Sequence, residues 1–84
     1  MQSKHRKTLG AIFEHPVRAD IAWKDVVALL KALGAEISEG RGSRVRIALK
    51  GVRAVFHRPH PRKEADRGTV ASVRRLLTEA GIEP

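Results

Sequence analysis

An α+β two-layer domain, a meander of three antiparallel strands with helices on one face, is the fold class that this sequence predicts, and three patterns predict it. Apolar residues recur at helical spacing twice, as Val26-Leu29-Leu30-Leu33 and as Val70-Val73-Leu76-Leu77-Ala80. Between them, Ser43 to Leu49 and Val52 to Phe56 change face at every residue, on either side of Lys50-Gly51. Each helical stripe and each alternating strand has one face to bury, and packing stripes against sheet buries all of them. A chain of 84 residues is long enough for one small core of this kind.

Residues 4 to 14 read as a short amphipathic helix, with Leu9, Ile12 and Phe13 on one side, Lys4, Arg6 and Lys7 among its polar groups, and Pro16 as its stop. Its apolar side suits core packing or docking on a partner and is too small for membrane binding. Val17 to Ala22 reads as a connector to a helix that starts near Trp23 and ends before Gly34. Trp23 is expected in the core, because an aromatic content of 4% leaves too few rings for recognition by base stacking. Ala35 to Glu39 forms a short strand and Gly40-Arg41-Gly42 a turn. In the hairpin that follows, Val45, Ile47 and Leu49 point inward with Val52, Ala54 and Phe56, leaving Arg44, Arg46, Ala48, Arg53, Val55 and His57 outward. Lys50-Gly51 fits a two-residue turn, although Lys is a weaker signal there than Asn or Asp. A polar, proline-containing loop spans 58 to 67, the last helix covers Thr69 to Ala80, and Gly81-Ile82 fits a stop in which the isoleucine folds back on the last turn. This organisation divides into an N-terminal helical extension, 1–19, and one domain, 20–84.

The formal charge of +8 is concentrated: residues 41 to 75 hold eleven Arg and Lys against Glu64 and Asp66, whereas the first 40 residues set six basic against five acidic groups. A localised positive field fits a polyanionic partner. Inside it, His57-Arg58-Pro59-His60-Pro61-Arg62-Lys63 runs toward a helix opening at Gly68-Thr69. Unpaired backbone N–H groups and the helix dipole favour phosphate at such a start, and histidine there can move protons near neutral pH. RNA binding is the first implication and RNA cleavage the second. The absence of cysteine excludes disulfides and thiolate metal sites. No HxxxH pairing or Gly-rich strand-to-helix loop is present, Ser43 has no evident base, and Gly40-x-Gly42 reads as a turn, so neither metal nor cofactor is expected. No apolar run approaches membrane-spanning length and no signal-peptide pattern opens the chain, which makes a soluble cytoplasmic protein the expectation.

Ala32-Leu33-Gly34-Ala35, Gly42-Ser43-Arg44, the alternating hairpin, His57-Arg58-Pro59-His60-Pro61 and Gly68-Thr69 through Ala80-Gly81-Ile82 stand in the order and spacing of one family. The chain resembles the HicA toxins over roughly Asp20 to Ile82. That resemblance implies a double-stranded-RNA-binding-domain-like fold, ribosome-independent mRNA cleavage, and neutralisation by a HicB antitoxin. One position departs from the pattern. Where the family has a histidine regarded as catalytic, directly after Gly-Ser, this chain has Arg44. A guanidinium stays protonated and cannot serve as a general base near pH 7.

Metal-independent cleavage of RNA needs a base for the ribose 2′-OH, an acid for the leaving 5′-oxygen, and cations for the charge that builds on phosphorus. His60, which matches the family's Pro-His position, and His57 are the candidate proton carriers, with Arg44 beside them as a charge donor. Arg44, Arg46, Arg53, Arg62, Lys63 and Arg67 are the candidate RNA-binding cations. His5 and His15 read as surface groups, and Glu64 and Asp66 as carboxylates that temper the basic loop or approach the helix start. Three readings follow: a ribonuclease toxin with altered catalytic residues, an RNA-binding module of the same fold that has lost cleavage, and a protein whose basic face serves to dock an acidic antitoxin.

Overall fold

The alternating segments form the sheet that their pattern predicts. The computed structural model describes residues 1–59 and 62–84. Strands β2 (Glu36–Glu39), β3 (Arg44–Leu49) and β4 (Val52–His57) make a three-stranded antiparallel sheet in the order β2-β3-β4. Lys50 and Gly51 both take positive φ, 49° and 83°, the backbone that a two-residue hairpin turn requires. That turn fixes the register, Leu49 opposite Val52 through Arg44 opposite His57. Val45, Ile47, Leu49 and Phe56 are buried on the inward face, while Arg44, Arg46, Arg53, Val55 and His57 are exposed on the other.

Helices α2 (Trp23–Ala32) and α3 (Arg67–Glu79) cover the inward face with Val26, Leu29, Leu30, Val70, Val73 and Leu77, each fully buried. Trp23 joins that core, its ring centroid 6.2 Å from that of Phe56. Both helices stop in the same way. Ala35 N–H donates to the Leu30 carbonyl at 2.9 Å and Ile82 N–H to the Leu77 carbonyl at 2.8 Å, each across a residue of positive φ, Gly34 or Gly81. The fold is therefore α+β, with the double-stranded-RNA-binding-domain-like arrangement of sheet and helices.

Three details differ from the pattern reading. Residues 17–22 and 58–67 are not only connector and loop, because β1 (Ile21–Ala22) pairs antiparallel with β5 (Glu64–Ala65), and Trp23 N–H donates to the Lys63 carbonyl at 2.9 Å. The last helix opens two residues early, at Arg67, because the Asp66 side chain accepts from Thr69 N–H at 2.8 Å and caps it. Helix α1 (Ser3–Ile12) stops short of Glu14, where the Arg74 guanidinium donates to the carbonyls of Ile12 at 3.0 Å and Glu14 at 2.6 Å. Arg74 also lies over the Phe13 ring, 5.9 Å from its centroid. Leu9 and Ile12 of α1 belong to the same buried cluster as the sheet and the other two helices. His15 is exposed, but His5 is half-buried, with its Nδ1 shielded and unpartnered among the described residues.

Candidate nucleic-acid interface

Strand parity and turn geometry together build the outward face of the sheet. A two-residue turn makes Leu49 and Val52 a hydrogen-bonded pair, so Ala48/Arg53, Arg46/Val55 and Arg44/His57 are the alternate, non-hydrogen-bonded pairs, whose side chains approach more closely. The Arg58 N–H bond to the Ser43 carbonyl, 2.7 Å, continues the same alternation. Adding β2 gives rows across the sheet: Glu36-Ala48-Arg53, then Ser38-Arg46-Val55, then Arg44-His57 with Gly40 N–H donating to the Arg44 carbonyl at 2.8 Å. A Cβ at Gly40 would stand 3.5 Å from that of Arg44, so the glycine leaves the arginine stem open ground. The face thus carries three arginines, one imidazole and Val55, which is 57% exposed, with the Glu36 carboxylate and Ser38 along its β2 margin.

The charges on this face are uncommitted. Among the described residues, Arg44, Arg46 and Arg53 have no carboxylate within ion-pair distance, whereas Arg58, at the end of β4, is paired with Glu39. Arg62, Lys63 and Arg67 are exposed and stand on a different element, around the start of α3. At that helix start the structure shows the second of the two sequence readings of Asp66, an approach to the first turn. Asp66 already presents a carboxylate to the Thr69 N–H, and this hydrogen bond, with the nearby Arg62 charge, holds the Asp66 carboxyl below the usual range. One of the first-turn N–H groups is thus met by the protein's own anion.

Of the candidate proton carriers, His57 stands directly opposite Arg44 on the open face. His60 lies outside the described residues. Sequence reasoning did not include Ser38 and Glu36, which border the arginines on β2; the signal was the alternation Glu36-Ile37-Ser38, too short to be decisive by itself. Among the described residues no group of His, Asp and Glu could hold a metal ion, and no helix is long and apolar enough to cross a membrane.

The same stretch of chain that forms α2, the sheet and α3 matches a family described as the HicA toxin of bacterial toxin-antitoxin, over residues 23–82. The chain belongs to the HicA toxin family. No curated protein and no solved structure matches it. The family match begins at Trp23, so α1 and β1 of this HicA protein lie outside it, although both contribute to its core. Arg44 falls within the match, on the exposed face and opposite an imidazole.

Proposed function

We propose that this HicA protein is the toxin of a toxin-antitoxin pair that binds messenger RNA and cleaves it without metal, and that a HicB-type antitoxin neutralises it. The observation that carries the reading is the set of arginines, unpaired among the described residues, with His57 opposite Arg44 on one open face. Arg44, Arg46 and Arg53 hold the phosphodiester backbone by charge-assisted hydrogen bonds, with Arg62, Lys63 and Arg67 extending the track. Arg44 stabilises charge on the phosphate and leaves proton transfer to histidine, His60 first and His57 second. The ribose 2′-OH loses its proton to one group as its oxygen attacks phosphorus, and the departing 5′-oxygen gains a proton as its bond to phosphorus breaks.

Incubation of the purified toxin with total mRNA, with and without chelator, tests the activity; degradation unaffected by chelator is the expected result. His60→Gln is expected to slow cleavage by about 10² to 10⁴-fold while leaving folding and antitoxin binding intact, and Arg44→Lys to be milder. Cleavage by His60→Gln at the wild-type rate transfers the role to His57. The position of Arg44 favours one second reading, an RNA-binding module without cleavage; intact RNA together with salt-dependent binding selects it.

A further inference from the structure

The free edge of the sheet at β4 is open in its backbone as well as in its side chains. Because Arg53, Val55 and His57 are the non-hydrogen-bonded partners of β3, their N–H and C=O groups point away from β3, toward the edge. Among the described residues no strand other than β3 pairs with β4, and no hydrogen bond engages those groups. Val55 stands between Arg53 and His57 and is, with Met1, one of two exposed large apolar residues among those described. On the neighbouring strand β3, Arg46 stands opposite Val55 and Arg44 opposite His57.

We infer that β4 receives an added strand from an acidic protein, one whose carboxylates meet Arg53, Arg46 and Arg44 while an apolar side chain covers Val55. The inference rests on the antitoxin reading above and names how that partner docks. A protein strand supplies donors and acceptors in alternation and satisfies both kinds of edge group, whereas a phosphodiester offers acceptors and nothing for Val55. Self-pairing of two β4 edges about Val55 would set Arg53 opposite His57 of the second copy and crowd both sets of arginines, which opposes it. The other edge, β2, carries Glu36, which opposes an acidic strand, and Glu39, whose charge is met by Arg58, so it offers no free cation.

The test is amide hydrogen exchange, residue by residue, on the wild-type chain alone, with single-stranded RNA, and in complex with the protein of the neighbouring reading frame. Strand addition slows exchange at Arg53, Val55 and His57 by at least about tenfold in the protein complex, one hydrogen bond's worth. Val55→Pro removes one edge donor without touching the β3–β4 ladder and weakens the complex by about tenfold. Val55→Asp keeps the donor, repels the acidic strand and also weakens it. A stable complex whose three amides exchange as in the free chain overturns strand addition and leaves the antitoxin reading standing. Failure of the two proteins to associate overturns both. Protection of the three amides by RNA alone, or by raising the concentration of the isolated chain, gives the edge to RNA or to a second copy and overturns the inference.

Discussion

Arg18 and Arg46 are the same side chain in two settings. Arg18 lies between Glu14 and Asp20, bonded to the first at 2.9 Å and to the second at 2.8 Å. Its hydrogen bond to Asp20 raises the guanidinium further and holds the Asp20 carboxyl below the usual range. Arg46 lies between Ser38 and Val55 with no carboxylate at hand among the described residues. The contrast extends to their regions: Lys4 pairs with Asp25 at 3.8 Å and Arg74 is spent on the carbonyls that end α1, while among the described residues Arg44, Arg46 and Arg53 of the hairpin meet no carboxylate. Cations that meet carboxylates at home tie elements together and attract nothing distant. Cations left unpaired on one face steer a polyanion or an acidic partner.

The deepest test of the comparison removes the N-terminal layer's hold on the core. Ile12, fully buried, is expected to cost about 2 to 5 kcal/mol when replaced by Ala, read as a lower urea midpoint, with RNA affinity of the folded protein unchanged. A loss below about 1 kcal/mol would make α1 a satellite of the fold.

A smaller effect is expected at the junction of the two regions. Asp66→Ala should cost about 1 kcal/mol through the lost cap and, by removing an anion from the start of α3, tighten RNA binding. Because the folded Asp66 carboxyl is held low, its contribution is complete above the ordinary aspartate range and disappears as pH falls through the lowered value. Urea midpoints of wild type and variant should therefore converge in acid and separate at neutral pH.

The finest discrimination is between single charges. Arg46→Gln is expected to leave the urea midpoint unchanged and to reduce the salt slope of RNA binding by about one unit. Replacing Arg62 and Lys63 together with Ala should lower that slope by about two. Arg18→Gln should do the reverse, lowering the urea midpoint slightly at low salt and leaving the RNA slope alone. Equal salt slopes for Arg46→Gln and wild type would remove the hairpin face from the RNA track.

The sequence by itself determined the elements whose signal is local. Period-two alternation set which side chains of β3 and β4 turn outward, and Lys50-Gly51 pointed to the two-residue turn whose positive φ values put Arg44 opposite His57. Gly34 and Gly81 marked both helix ends, and the stripes of α2 and α3 marked the core. Tertiary structure alone decided what joins distant segments. Two residues at β1 and two at β5 are too few to show a period, and they pair because burial of Ile21 and Ala65 brings them together. The Asp66 cap is local by contrast, a bond to the N–H three residues on, and the sequence held it as one of two readings. Whether an arginine is spent or free divided between sequence and fold. Arg18 has Glu14 and Asp20 four and two residues away along the chain. Arg46 has no carboxylate so near in sequence, and only the folded chain, which among the described residues brings it none, decided that it stays free.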